Sequence, residues 1–234
     1  MATKNNPFAS RFIRPGALDY HFSAGQTAAK LAEQFTGRLQ RRAAIVGPHG
    51  SGKSTLLHTL IPHLGSIEWT WDAAAQTEWN PPAALCMDGQ DLQRFANGLP
   101  GARVLWLRLS KSSRDASPLF AEESAWDEST MIVIDGYEQL RAWDRIRLWR
   151  GIRKSNAGLL VTCHYPLFFY PTLLTTEVTE DSAEYVVRRL LSSRKDIADR
   201  LIRSDRWKQI RSRWQNNLRE ALFELYDLME TSYG

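Results

Sequence analysis

Residues 47 to 55 combine three glycines with a lysine and two adjacent hydroxyl residues. They read Gly47-Pro48-His49-Gly50-Ser51-Gly52-Lys53-Ser54-Thr55. Glycines let a backbone wrap around an anion with its N–H groups pointing inward, where larger side chains would block the approach. In this spacing the lysine supplies a flexible positive charge for the β- and γ-phosphates of a nucleotide, and the Ser54 hydroxyl supplies a ligand for Mg²⁺. The segment is therefore predicted to hold the phosphates of a nucleotide.

The residues on either side place this segment between a strand and a helix. Residues 43 to 46 are all apolar and suit a strand that is buried on both faces of a parallel sheet. Residues 53 to 61 fit a helix, whose N-terminus would face the bound anion. A phosphate loop requires this context, with a strand before it and a helix after it.

With this segment in this context, the chain resembles the P-loop NTPases over roughly residues 41 to 164. The strand Met131-Ile132-Val133-Ile134, which ends in Asp135, resembles the Walker B strand of that superfamily. The resemblance implies that Asp135 holds Mg²⁺, mainly through the water shell of the ion. The alternative is that Asp135 only caps the turn that follows the strand.

Hydrolysis also needs a group that orients or activates water. A strand predicted at 104–109 lies between the two motifs and suggests the ATPase branch of the superfamily that has an additional strand there. Many members of that branch place a glutamate directly after the Walker B aspartate, whereas this chain has Gly136 there. The nearest acid is Glu138, and we assign the catalytic role to it together with Lys53; Gln139 is the other residue able to polarise water. Glu138 is alternatively a residue of a helix N-terminus, where the helix dipole favours acids.

Further candidates follow the predicted core. In related ATPases the polar end of the next strand senses the γ-phosphate, which points to Thr162 or His164; the alternative is a structural histidine. Arg188 and Arg189 could stabilise transition-state charge, or could simply lie on a solvated helix. Cys163 is interpreted as a small buried residue and not as a nucleophile.

Alternating strands and helices predict an α/β fold with a mostly parallel five-stranded sheet, helices on both faces and further helices at the C-terminus. The five predicted strands are 43–46, 67–71, 104–109, 131–134 and 159–163. We predict three parts: an N-terminal extension and helix packed on the core (1–40), a nucleotide-binding core (41–175) and a C-terminal helical region (176–234). Residues 73–101 are predicted to be loop and short helix.

Two apolar stripes at helical spacing are predicted to pack against the core or a partner. A helix over 138–152 carries Leu140, Trp143, Ile146 and Trp149 at helical spacing. A longer stripe near the C-terminus comprises Trp207, Ile210, Trp214, Leu218, Leu222, Leu225 and Met229. We interpret the tryptophans as core or partner contacts and not as base-stacking residues.

Bulk properties narrow the class of protein. The formal net charge is +4, and the basic residues gather at 141–154 and 188–213. These runs indicate either solvated helix faces or an anionic partner. No apolar run approaches the length of a membrane helix, the start of the chain lacks a secretory signal, and two cysteines, Cys86 and Cys163, suggest no disulfide scaffold. We therefore expect a cytoplasmic protein without membrane insertion.

The sequence favours an ATP-binding, magnesium-dependent hydrolase that couples nucleotide turnover to a partner, a homo-oligomer or a conformational change. A guanine-reading Asn-Lys-x-Asp motif and the signature motif of transporter ATPases are both absent from the sequence. The alternatives are a small-molecule kinase and a nucleic-acid-associated NTPase; the second has only the basic charge in its favour. Residues 11 to 22 are a candidate contact for the base or for the partner.

Overall fold

The fold was analysed in a computed structural model, which describes residues 6–76 and 102–233. The strands of these residues are β1 (Arg42–Val46), β2 (Ser66–Asp72), β3 (Arg103–Arg108), β4 (Thr130–Asp135), β5 (Gly158–Cys163) and β6 (Thr172–Thr175). They form one sheet in the order β2-β3-β4-β5-β1-β6, and every neighbouring pair is parallel. All six carboxyl ends therefore lie on one edge, where ligands bind in open parallel sheets.

Helices connect the strands and form the C-terminal part of the chain. The described α-helices are α1 (Ser10–Ile13), α2 (Ala28–Gly37), α3 (Lys53–Leu60), α4 (Ser117–Ala121), α5 (Ala142–Ser155), α6 (Glu180–Leu190), α7 (Lys195–Arg203), α8 (Asp205–Trp214) and α9 (Leu218–Tyr233). Three short 3₁₀ turns accompany them at Ile61–His63, Glu123–Ala125 and Tyr137–Gln139. Thr27 caps α2 by accepting a hydrogen bond from the Lys30 backbone N–H at 3.2 Å.

The sheet is buried on both faces because successive residues of each strand point to opposite sides. On one face, Ile45 and Val133 pack against Leu31 of α2 and Leu57 of α3. On the other face, Ala44 and Ile132 of the strands belong to a cluster with helix residues, which are Leu119 of α4 and Leu148 and Ile152 of α5. This double burial explains why the strands read as continuous apolar runs in the sequence.

A third cluster joins the C-terminal helices to the start of the chain. Phe8 is fully buried there, among residues that include Val187, Trp207, Ile210 and Leu225. The predicted C-terminal stripe thus packs into this third cluster. It is divided between two helices, because α8 ends at Trp214 and α9 begins at Leu218. The division of the chain at residues 41 and 176 remains a prediction.

The predicted α/β fold is confirmed, with two differences in the sheet. A sixth strand, β6, escaped prediction because it has only four residues and buries only Leu173 well. The predicted strand at 104–109 corresponds to β3, which does not lie between the strands of the two nucleotide motifs but on the far side of β4. The strand that separates β1 from β4 is β5, because strand order in space does not follow chain order.

The helix predicted over 138–152 was wrong in its start and in its buried face. The helix α5 begins at Ala142, and its buried residues are Leu148, Gly151 and Ile152. Three residues of the predicted stripe, Trp143, Ile146 and Trp149, are exposed instead. Spacing alone identified an apolar stripe but could not show whether the sheet lies against it.

Cys86 and most of the predicted loop at 73–101 lie outside the described residues. Cys163 is buried in β5, and burial raises the pKa of its thiol to about 11, which agrees with a small packed residue and not a nucleophile. Within residues 6–76 and 102–233, no helix is both long and apolar enough to cross a bilayer.

Candidate functional site

The glycine-containing loop lies between β1 and α3, at the carboxyl edge of the sheet. The first hydrogen bond of α3 runs from the Leu56 N–H to the Gly52 carbonyl at 2.8 Å, so the N–H groups of residues 53–55 have no partner within the helix. Ser51 Oγ fixes the loop, donating to the Pro48 carbonyl at 2.9 Å and lying 2.6 Å from Thr176 Oγ1. The loop is thus held in place, and the amides at its helical end have no partner within α3.

Lys53 is folded back on this loop. Its Nζ donates to the carbonyls of Gly47 and Pro48, both at 2.7 Å, and lies 3.4 Å from His164 Nδ1. Burial lowers the pKa of the lysine, and the nearby carboxylates of Glu138 and Asp135 oppose that shift. The ammonium therefore rests over the mouth of the loop, between its own carbonyls and the acidic strand.

The predicted metal residues are brought together at the end of β4. Asp135 Oδ1 accepts a hydrogen bond from Ser54 Oγ at 3.1 Å and another from Thr162 Oγ1 at 2.6 Å. Thr162 Oγ1 in turn accepts from the Gly136 N–H at 2.8 Å. Three neighbouring segments, α3, β4 and β5, thus converge on one carboxylate oxygen.

Gly136 accounts for the missing glutamate after Asp135. Its φ is +91°, and a Cβ at this position would lie 2.8 Å from the Leu109 carbonyl oxygen, so a glutamate does not fit there. The left-handed residue turns the chain into the 3₁₀ turn Tyr137–Gln139. Glu138 therefore sits in this turn, three residues before α5 is capped at Arg141, and not at the helix N-terminus.

Glu138 contacts His164, which in turn contacts the glycine-containing loop. Its Oε1 lies 3.0 Å from His164 Nε2, and within the described residues its buried Oε2 has no hydrogen-bond partner. The amide of Gln139 points back at Glu138 Oε1, at 3.4 Å. Of the two residues considered for polarising water, Glu138 is the one whose buried carboxylate oxygen lacks a partner in the described part of the chain.

The two histidines of the site lie against each other. The rings of His49 and His164 have centroids 3.9 Å apart, and His164 Nδ1 lies 3.2 Å from the Gly47 carbonyl oxygen. Burial, His164 and Lys53 lower the pKa of His49 below its usual value. His164 thus touches the loop, the lysine and the candidate base, whereas Thr162 touches only the Asp135 side.

A cleft of about 700 Å³ surrounds these residues. Besides the loop and the acidic strand end, it is lined by Arg14, Tyr20, Arg108, Lys111 and Arg219. The N-terminal segment named as a candidate contact does line the cleft. Sequence reasoning missed Arg108, Lys111 and Arg219, since only the fold places β3 and the start of α9 beside the loop.

The arginine pair proposed from the sequence lies elsewhere. Arg188 forms ion pairs with Glu184, at 3.6 Å, and with Asp199, within the C-terminal helices. Arg189 lines a separate cavity of about 390 Å³ between the N-terminal segment and α6. Neither residue is among those that line the described cleft.

Two features of the sheet decide the fold. The loop strand β1 and the acidic strand β4 are separated by one strand, β5, which is parallel to both. The loop after β1 runs directly into α3 and meets the acid of β4 through Ser54. The chain has the P-loop NTPase fold. One strand between the two motifs is the arrangement of the additional-strand branch of that superfamily.

Comparisons with known proteins give distant structural likenesses. RuvB of Thermotoga maritima, described as a Holliday junction branch migration motor, gives a TM-score of 0.41 at 12% identity over 86% of this chain and 67% of that chain. A variant of the same protein gives 0.43 at 11% identity over 86% of this chain and 66% of its own. PCH-2 of C. elegans gives 0.34 at 15% identity, with 86% and 56% covered.

The chain therefore spans about two thirds of the RuvB chains. No protein-family model matches it, and no curated protein matches it in sequence. At these scores the P-loop NTPase fold rests on the sheet order and the loop geometry described above.

Proposed function

We propose that this protein binds ATP with Mg²⁺ in the cleft around the loop and hydrolyses the nucleotide. The observation that carries the proposal is the convergence of Ser54 and Thr162 on Asp135 directly beside the phosphate loop, with Lys53 Nζ at the loop mouth. ATP is preferred over GTP because the sequence lacks the Asn-Lys-x-Asp guanine reader.

The residues present fit a triphosphate and a magnesium ion. The amides of residues 53–55 are free to donate to phosphate oxygens, and the N-terminus of α3 favours an anion. We propose that Lys53 leaves the carbonyls of Gly47 and Pro48 and moves to the β- and γ-phosphates. Ser54 and Asp135 are oxygen donors of the kind Mg²⁺ prefers, and they would hold the ion; when bound, it would neutralise charge on the phosphates.

Glu138 is proposed as the general base. Its unpartnered Oε2 would accept a proton from water as the water oxygen attacks the γ-phosphorus and the bond to the β-phosphate oxygen breaks. His164 would hold the other carboxylate oxygen, since Nε2 lies 3.0 Å from Oε1. Gly136 permits this arrangement by displacing the acid from the residue after Asp135 to the 3₁₀ turn.

We further propose that turnover is coupled to the C-terminal helices. Asn217 stands at the start of α9 and lies against the loop tip, since a Cβ on Gly50 would come within 1.9 Å of its Oδ1. Leu218, Arg219 and Leu222 of the same helix line the cleft. A change at the loop on binding or release of the γ-phosphate would therefore reach α9 directly.

The test is nucleotide binding and turnover by the purified protein, with ATP and GTP in the presence of Mg²⁺. We expect Lys53→Ala to lose binding, and Glu138→Gln to bind ATP normally but turn it over roughly 100-fold more slowly. Glu33→Gln, an exposed substitution on α2, is the matched control.

Failure to bind any nucleoside triphosphate would overturn the proposal as a whole. Unchanged turnover by Glu138→Gln would remove only the assignment of the base. Turnover that requires an added phosphate acceptor would favour the kinase alternative.

A further inference from the structure

A set of exposed aromatic side chains is a surface feature that the nucleotide site does not explain. Trp143 is 81% exposed, Tyr165 79%, Phe168 95%, Phe169 73% and Trp149 39%. At about 200 Å² for each aromatic side chain, they present on the order of 700 Å² of largely apolar area to solvent. That summed area is close to one side of a standard macromolecular interface.

These aromatic residues belong to one side of the sheet. Trp143 and Trp149 lie on α5, and the others lie in the loop 164–171 that follows β5. Tyr137, which precedes α5, makes an edge-to-face contact with Tyr170 at the end of that loop, with ring centroids 6.1 Å apart. Both rings belong to the core cluster on the α5 face of the sheet. The loop therefore packs against the turn that leads into α5.

The exposed face of α5 is also strongly basic. Arg150, Arg153 and Lys154 are exposed, and within residues 6–76 and 102–233 none of them forms an ion pair. Arg153 stacks over Trp149, with its Cζ 4.9 Å from the ring centroid. The only acid on the helix is Asp144. Within the described ranges, these three cations of α5 that form no ion pair therefore follow its two exposed tryptophans along the chain, and one of them stacks on Trp149.

This composition fits one class of partner. A two-fold contact with a second copy would place the cations of α5 against each other, which opposes self-association through this face. Single strands of nucleic acid use both chemistries together, since phosphates need cations and unpaired bases stack on aromatic rings. We propose that Trp143, Trp149, Arg150, Arg153, Phe168 and Phe169 form a binding surface for single-stranded nucleic acid, called here the aromatic–basic surface.

The surface is connected to the nucleotide site through the chain itself. Its loop begins at His164, which contacts Lys53, Glu138 and the Gly47 carbonyl. A strand held by Phe168 and Phe169 would restrain that loop and thereby the position of His164. Nucleic acid would then change the rate of ATP turnover, a consequence that rests on the proposed function, whereas binding itself does not.

The test is fluorescence anisotropy of labelled oligo(dT) and oligo(rU), each of about 20 nucleotides. The full chain is titrated into each oligomer in the absence of nucleoside triphosphate. We expect binding that weakens steeply with salt. Trp143→Ala and Phe168→Ala should each weaken binding at least about fivefold, while Trp143→Phe, which keeps a stacking face, should stay within about twofold of wild type. Tighter binding of one oligomer would identify the natural strand as DNA or as RNA. Equal affinities would mean that the surface accepts both.

The charge contribution has its own matched pair of variants. Arg150→Gln should reduce the slope of log affinity against log salt by about 0.7, whereas Arg38→Gln should leave it unchanged, because Arg38 is exposed beside α2 on the opposite face of the sheet.

Absence of binding to both oligomers at about 50 mM salt would overturn the proposal. So would binding that Trp143→Ala and Phe168→Ala leave intact, or that Arg38→Gln weakens as much as Arg150→Gln. Phe168 is almost fully exposed, so its removal leaves the core unchanged and keeps the test independent of folding. If the wild-type protein binds the oligomers but does not hydrolyse ATP, that result would count against the proposed function alone.

Discussion

The imidazole Nε2 of His164 lies 3.0 Å from Glu138 Oε1, so the end of β5 is tied to the turn that follows β4. The other ring nitrogen, Nδ1, faces the Gly47 carbonyl at 3.2 Å and Lys53 Nζ at 3.4 Å. One side chain thus spans the phosphate loop, its lysine and the candidate base. We therefore propose that His164 positions the carboxylate of Glu138.

A double-mutant cycle tests this relationship. We expect His164→Ala to slow ATP turnover roughly tenfold with little change in ATP affinity, because the carboxylate loses its orientation. Combined with Glu138→Gln, it should add almost nothing to the loss caused by Glu138→Gln alone, since the two residues act as a unit. Steady-state turnover of the four proteins measures the coupling; fully additive losses would show that His164 does not act through Glu138.

The magnesium requirement should depend on the carboxylate of Asp135. Asp135→Asn removes the charge that Ser54 and Thr162 surround, and we expect the Mg²⁺ concentration for half-maximal turnover to rise at least about tenfold. Thr162→Val should produce a smaller rise, because it removes only a hydrogen bond to that carboxylate. Asp181→Asn, an exposed change in the first turn of α6, is the control. An unchanged magnesium titration in Asp135→Asn would mean that Asp135 only caps its turn.

Gly25 and Gly50 both have left-handed backbone conformations, but only Gly50 lies against another residue. Alanine substitutions at the two positions therefore distinguish the cost of backbone strain from the cost of a steric clash. Gly25 has φ +84° with nothing within 4 Å of an added Cβ, whereas Gly50 has φ +70° and Asn217 Oδ1 at 1.9 Å. Gly25→Ala should therefore cost only the left-handed strain, about 1–2 kcal/mol, and leave ATP affinity unchanged. Gly50→Ala should cost more and also weaken ATP binding, because the loop tip or α9 must move.

Chemical unfolding and ATP titration of both variants measure this difference. Equal losses of stability together with normal ATP affinity in both variants would contradict the contact between the loop tip and α9.

Acid should destabilise the protein through His58. This side chain is 2% exposed beside the Trp106 ring, and burial, with Arg108 and Arg14, lowers its pKa from 6.5 to about 3. Between these two values the unfolded chain binds more protons than the folded one, so the free energy of unfolding falls as pH falls. We expect this histidine alone to lower the free energy of unfolding by about 1.5 kcal/mol between pH 6.5 and pH 5.

The measurement is urea unfolding at both pH values for wild type and His58→Gln. The difference between the two pH values should shrink in the variant. A variant that loses as much stability on acidification as wild type would show that His58 does not carry the effect.

The local parts of the site could be predicted from the sequence because their chemistry is contiguous in the chain. Residues 47–55 and the strand ending at Asp135 carry both the residue types and the flanking patterns that they need. The pairing of Glu138 with His164 could not be predicted, because it depends on β4 and β5 being neighbours and on the left-handed Gly136.

The sequence by itself determined the α/β class, the phosphate loop and the acidic strand end, since each follows from short-range patterns of glycine, charge and apolar residues. Only the tertiary structure decided which faces are buried. The spacing of Trp143, Ile146 and Trp149 is equally compatible with packing and with exposure, and the sheet covers the Leu148 side of α5 instead. Tertiary packing likewise brought Asn217 to Gly50, because long-range contacts are set by the whole core and not by local propensity.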